Sequence, residues 1–265
     1  VSGVGDADNV SFVIVSATLQ TTESFDYETK DSYTIRVQAD DGQATISETF
    51  TITVTNINDA PAFTSAPITT ATEEVAYEYV VTAEDVDAGD AVSVTAVLTL
   101  PNWLNLTSNG GFTETLSGTP TNDDVGEHLV ELQVEDTAGA TATQAFTITV
   151  ANVNDAPIFT STPITTATQD VSYSYAITVT DVDADEVLAI TAESLPDWLT
   201  LGDHGDGTAT LSGTPANADV GDHAIPLLVT DTGGLTDTQS FIITVANVND
   251  APAFTSTPVT TATEE

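Results

Sequence analysis

The sequence predicts an all-β protein built as a tandem array of small sandwiches, each about 95 residues long. Three observations predict it. Apolar residues recur with period two in runs rich in Thr, Val and Ile, the mark of half-buried antiparallel strands. No stretch carries a 3.6-residue apolar stripe. The tetrapeptide Asn-Asp-Ala-Pro occurs three times, with its prolines at Pro61, Pro157 and Pro252. A polar element that returns at the period of one small β domain marks an array.

The elements follow in order. In the first complete unit Val75, Tyr77, Tyr79 and Val81 alternate with small or polar residues, as do Val92, Val94, Ala96 and Leu98. Val130, Leu132 and Val134 form a later run, and Phe146, Ile148 and Val150 the last. The second unit repeats the landmarks: Leu100-Pro-Asn-Trp103-Leu104 returns as Leu195-Pro-Asp-Trp198-Leu199, and Leu116-Ser-Gly-Thr-Pro120 as Leu211-Ser-Gly-Thr-Pro215. Between these motifs the turn varies most, as an exposed hairpin tolerates. About seven strands per unit predict a seven-stranded Greek-key sandwich of the immunoglobulin or cadherin type. The repeat divides the chain into a partial unit lacking its first strands (1–58), two sandwiches (59–154 and 155–249) and the first strand of another (250–265). Joints of six residues leave little slack and predict an elongated array, stiff if something bridges the joints. Both chain ends read as internal positions of a longer protein.

Charge narrows the function. The chain carries 41 acidic residues against Lys30 and Arg36, a net charge of −39. Nucleic acid is excluded as a partner, because phosphate binding needs clustered Lys and Arg. The same deficit argues against an anionic membrane surface, and no apolar run reaches the ~18 residues of a spanning helix. Such a charge opposes compaction unless salt or cations screen it. There is no Cys, so the fold uses neither disulfides nor a thiolate metal site, which fits the outside of a bacterial cell.

Several segments carry a family resemblance. Phe25-Asp26-Tyr27-Glu28, then Tyr33 to Gly42 with Ala39-Asp-Asp41-Gly42, then Asn56-Ile-Asn58-Asp59, resemble the later strands of a cadherin repeat. The complete units, through Leu-Pro-x-Trp-Leu, Leu-Ser-Gly-Thr-Pro and Val-Gly-x-His, resemble dystroglycan-type cadherin-like repeats and the immunoglobulin-like repeats of bacterial surface adhesins. The resemblance implies calcium at the joints. Its ligands at the first joint would be Asp26, Glu28, Asn58, Asp59, Asp85, Asp87 and Asp136. At the second they would be Asn154, Asp155, Asp181, Asp183 and Asp231, with Asp124 from the unit before and Glu74 as an additional candidate. Asp219, Asn249 and Asp250, with Asp170 as an additional candidate, would be half of a third site.

The chemistry of these residues agrees. Calcium takes six to eight oxygen ligands from carboxylates, amides and backbone carbonyls. Asp-x-Asp places two carboxylates on one side of an extended segment, and unscreened carboxylates at short range repel. The chain departs from the cadherin pattern in having Asn56, Asn152 and Asn247 at the first joint position and no true Asp-x-Glu in the complete units. Fewer or weaker ions are therefore expected, with Kd roughly 10⁻⁴ to 10⁻³ M. The other readings are a module recognising polysaccharide or sibling repeats, and a metal-free spacer. Trp103 and Trp198 read as packing residues rather than sugar platforms, and His128 and His223 as structural. No nucleophile elbow or phosphate loop supports an enzyme.

Overall fold

A computed structural model describes residues 5–184 and 186–264. The outermost limits of the expected divisions, residues 1–4 and 265, lie outside them. The chain clusters into two compact units, Val1–Ala151 and Asn152–Glu265.

The first unit opens with two hairpins. β1 (Phe12–Val15) pairs with β2 (Thr18–Thr21), and β3 (Ser32–Asp40) pairs with β4 (Thr45–Thr53), both antiparallel. Tyr33 and Ile35 are buried, and the rings of Phe12 and Phe25 lie against Tyr33. Lys30 forms an ion pair with Asp8, whose other oxygen accepts from the Thr34 N–H. Ile46 and Phe50 on β4 remain exposed.

A complete sandwich follows in the same unit: β5 (Ala62–Phe63), β6 (Thr70–Thr72), β7 (Tyr77–Glu84), β8 (Ser93–Ala96), β9 (Leu104–Ser108), β10 (Thr113–Gly118), β11 (Gly126–Glu135) and β12 (Thr141–Ala151). One sheet has the order β5-β7-β10-β9 and the other β6-β12-β11-β8. All pairs are antiparallel except β6 with β12. The second unit repeats the plan with β13 (Ile158–Phe159), β14 (Thr166–Thr168), β15 (Tyr173–Thr180), β16 (Ala189–Ala192), β17 (Leu199–Asp203), β18 (Thr208–Gly213), β19 (Gly221–Thr230) and β20 (Thr236–Ala246).

Each sandwich thus has eight strands where seven were counted. The first is broken at Ser65-Ala-Pro67, or Ser161-Thr-Pro163, because proline cannot donate to a ladder. Its halves join opposite sheets, and β6 and β14 run parallel to the last strand.

Inward-facing residues fill the space between the sheets. Tyr77, Tyr79, Val81 and Ala83 of β7 face Val130, Leu132 and Val134 of β11 and Phe146, Ile148 and Val150 of β12 in one apolar cluster. Val75 and Leu98, expected to continue these runs, are exposed. Val75 precedes β7, and β8 ends at Ala96, before the chain turns away toward Pro101. Trp103 lies edge-on to Tyr77 and to His128, and Trp198 repeats this with Tyr173 and His223. Each histidine's Nε2 bonds a carbonyl, of Asp124 at 2.6 Å and of Asp219 at 2.7 Å.

The Ser-Gly-Thr motif has a steric cause. A Cβ on Gly118 would stand 1.7 Å from the Trp103 carbonyl oxygen, and one on Gly213 would stand 1.8 Å from that of Trp198. Only glycine admits the tryptophan segment so close to β10 and β18.

Candidate metal centre

In the first unit the joint residues Asn56 to Asp59 meet the segment after β7. That segment leaves the sheet at Asp85-Val-Asp87, where the Asp87 N–H donates to Asp85 Oδ1 at 2.9 Å in a local turn. Asp87 is buried, 7 % exposed, and receives the Asn56 side-chain amide at 2.7 Å and the Asp59 N–H at 2.7 Å. Its carboxylate belongs to two clusters, one with Glu28 and Asp59 and one with Asp85 and Asp90, each with oxygens within 4.8 Å of one another. Asp136, also buried, accepts from the Asn58 amide and from the N–H groups of Ala138 and Ala140, all at 2.8 Å.

These contacts set the acidities. The Asn56 amide, then the Asp59 N–H, hold the Asp87 carboxyl below its usual range. The Asn58 amide does the same for Asp136. Glu28 moves the other way, pushed up first by desolvation and then by the neighbouring carboxylates of Asp87 and Asp59. A group of acids in which one is driven toward its neutral form while its neighbours stay charged is a site where positive charge is short.

Asp26 lines the same cleft of about 630 Å³ as Glu28, Ile57, Asp59 and Val86. Its carboxylate accepts from the N–H groups of Glu28 and Thr29 and from the Thr29 hydroxyl, and the Thr29 hydroxyl leads in lowering its pKa. Asp26 therefore shapes the turn that presents Glu28.

The second unit repeats the arrangement. The Asn154 amide donates to Asp231 Oδ2 at 2.8 Å, the Asp155 N–H to Asp183 Oδ2 at 2.7 Å, and the Asp183 N–H to Asp181 Oδ1 at 3.0 Å. Desolvation is the largest single influence on Asp231 and raises it. The Asn154 amide and the N–H groups of Leu235, Gly234 and Gly233 outweigh that and leave it lowered.

Asp124 and Asp219 have a different local task. Asp124 Oδ2 accepts from the Thr121 N–H and hydroxyl, both at 2.9 Å, and Asp219 Oδ2 accepts from the Ala216 N–H at 2.8 Å. Each closes the short 3₁₀ turn (Asn122–Asp124 or Asn217–Asp219) that leads into β11 or β19.

The residues present fit a hard cation. The donor set is entirely oxygen, and buried carboxylate oxygens Asp85 Oδ2, Asp181 Oδ2 and Asp183 Oδ1 have no hydrogen-bond partner. A buried carboxylate oxygen left unpaired is costly, and a calcium ion offers it a ligand role. The Asn56 and Asn58 amide groups supply part of the missing positive charge as hydrogen-bond donors.

Comparison with known proteins gives the family. The profile described as "Putative Ig domain" (He_PIG) matches residues 60–151 and 156–246. The chain belongs to this family. The Ig-domain repeats are similar in fold to solved cadherin structures. Protocadherin Gamma B2 extracellular cadherin domains 1–5 align over 94% of this chain and 52% of that one, at 18% identity and a TM-score of 0.65. The protocadherin GammaB4 extracellular domain aligns over 89% of this chain and 42% of that one, at 20% identity and a TM-score of 0.58. Protocadherin Gamma B2 domains 3–6 align over 90% and 63%, at 17% identity and a TM-score of 0.59. The chain thus spans about half the length of these structures, and the likeness is one of fold: tandem cadherin-like sandwiches. No curated protein matches the chain. No helix among the described residues is long and apolar enough to cross a membrane.

Several Ig-domain site residues escaped the sequence. Asn56 bonds Asp87, and Asp90 joins the Asp85 cluster. The candidates Glu74 and Asp170 are exposed, in left-handed backbone at φ 58° and 60°. The buried residue is the one before: Glu73 is 1 % exposed and Gln169 2 %. The signal was period-two alternation from buried Ala71 and Ala167.

Proposed function

We propose that this chain is a calcium-binding segment of a large extracellular bacterial surface protein, an adhesive extender whose first two joints are stiffened by Ca²⁺. The observation that carries it is the buried Asp87 carboxylate shared by two acidic clusters, beside the unpartnered Asp85 Oδ2. At the first joint the ligands are Glu28, Asp59, Asp85, Asp87 and Asp136, with Asn58 and Asp26 supporting. In the second unit Asn154, Asp155, Asp181, Asp183 and Asp231 form the corresponding set. The ion would supply the positive charge that a chain of net −39 lacks. The four-part division, with joints after residues 58, 154 and 249, belongs to this proposal, as does a non-enzymatic role.

Packing favours this over sugar recognition, since Trp103 and Trp198 are held in edge-on contact with a tyrosine and a histidine of their own sandwich. Calcium titration of the melting temperature and of small-angle scattering tests the proposal. Millimolar calcium is expected to raise the melting temperature and lengthen the particle relative to chelator. Unchanged stability and length would leave a metal-free spacer.

A further inference from the structure

The third Asn-Asp-Ala-Pro joint differs from the second in one buried residue of the sandwich that precedes it. Strands β6 and β14 end identically in Thr-Ala-Thr, and the next residue is Glu73 in one sandwich and Gln169 in the other. Both positions are fixed the same way by the backbone: the Glu73 N–H donates to the Ala151 carbonyl at 3.1 Å and the Gln169 N–H to that of Ala246 at 3.0 Å. Both side chains are buried. A carboxylate at this place has become a neutral amide.

The amide is fully engaged. Gln169 Oε1 accepts from the Val248 N–H at 3.2 Å, while Nε2 donates to Asp250 Oδ2 at 3.0 Å and to Asp170 Oδ2 at 3.2 Å. The orientation is determined by chemistry, because an N–H on one side and two carboxylates on the other admit only this assignment of oxygen and nitrogen. Gln169 therefore binds the joint backbone at Val248 and the joint carboxylate at Asp250 with one side chain.

We infer that Gln169 bridges the third joint by hydrogen bonds in place of a divalent cation, so that this joint is held without metal. The residues here do not fit the calcium reading advanced for the first joint, on which this contrast rests. Gln169 presents its NH₂ to Asp250 and Asp170, and a donor NH₂ cannot ligate a cation as the carboxylate at the place of Glu73 can. Loss of one carboxylate also lowers the ligand charge on which calcium affinity depends. Gln169 itself is buried while Val248, Asp170 and Asp250 are exposed, so the bridge reaches from the interior to the joint surface, with charge-assisted bonds to the two carboxylates. Asp219, expected from sequence to serve this joint, is instead bonded to Ala216.

Amide hydrogen exchange of the full chain, in millimolar calcium and in chelator, tests this at Val248 and Asp59. Val248 is expected to show equal protection in both, while Asp59 gains protection with calcium. Gln169→Ala should lower Val248 protection roughly tenfold in both conditions, and Gln169→Glu should disorder Asp250 in chelator by removing its donor. A rise in wild-type Val248 protection with calcium as large as that at Asp59 overturns the inference. So does a Gln169→Ala chain in which Val248 is unaffected. Indifference of Asp59 to calcium overturns the calcium reading of the first joint instead, and the Gln169 variants still decide the amide bridge.

Discussion

The first and last joints of this chain share the sequence Asn-x-Asn-Asp-Ala-Pro and differ in how charge is balanced. At the first, Asp59, Glu28, Asp85 and Asp90 crowd around a buried Asp87 that accepts from the Asn56 amide and the Asp59 N–H. At the last, one buried glutamine reaches both a joint N–H and a joint carboxylate. The same hinge can thus be an excess of carboxylates awaiting a cation or a closed hydrogen-bond network. Ahead of the second joint the place of Gln169 is taken by Glu73, an exchange of one oxygen for one nitrogen within the same sandwich plan.

The comparison holds only if both sandwiches are the same scaffold, and the largest expected effect tests that. Gly118→Ala and Gly213→Ala each drive a Cβ into a tryptophan carbonyl. Each should cost on the order of 3 kcal/mol, measured by denaturant unfolding. A large cost at one and none at the other would break the equivalence. Next, Asp87→Asn should remove the calcium-dependent stabilisation of the first joint while leaving Val248 protection unchanged. With calcium at about 100 times Kd the loss is about 2.7 kcal/mol in a calcium-against-chelator melting comparison. Retention of the full calcium response would remove Asp87 from the centre of the site. The smallest effect sharpens the roles of the turn residues. Asp124→Ala and Asp219→Ala should each cost about 1 kcal/mol, equally in calcium and chelator. A cost at Asp124 that appears only in calcium would make it a ligand rather than a turn closure.

Much of the fold was legible because strand alternation is a local property. The buried sets of β7, β11 and β12 are those the apolar runs named, from Tyr77 to Val150. The break of the first strand at Pro67 and Pro163 was not, since β5 and β6 are too short to carry a period. At the candidate site, Asp59, Asp85, Asp87 and Glu28 could be nominated through the cadherin resemblance, and they converge on Asp87. Asp124 and Asp219 had the right neighbourhood, but a residue three positions from a free N–H closes its own turn first. Asn56 was read only as the place of a missing acid, whereas its amide donates to Asp87.

By itself the sequence determined the all-β class, the repeat period, the acidic excess and the joint motif, because each is written in composition or short-range order. The tertiary structure decided which carboxylates are buried together and which are used by their own turns. It also buried Glu73 and Gln169, each one residue before the ligand candidates Glu74 and Asp170. Side chains alternate faces along an extended chain, so a shift of one residue separates solvent from the interior. Only the folded partners, Ala151 and Ala246 across the parallel ladder, fix which of the two faces inward.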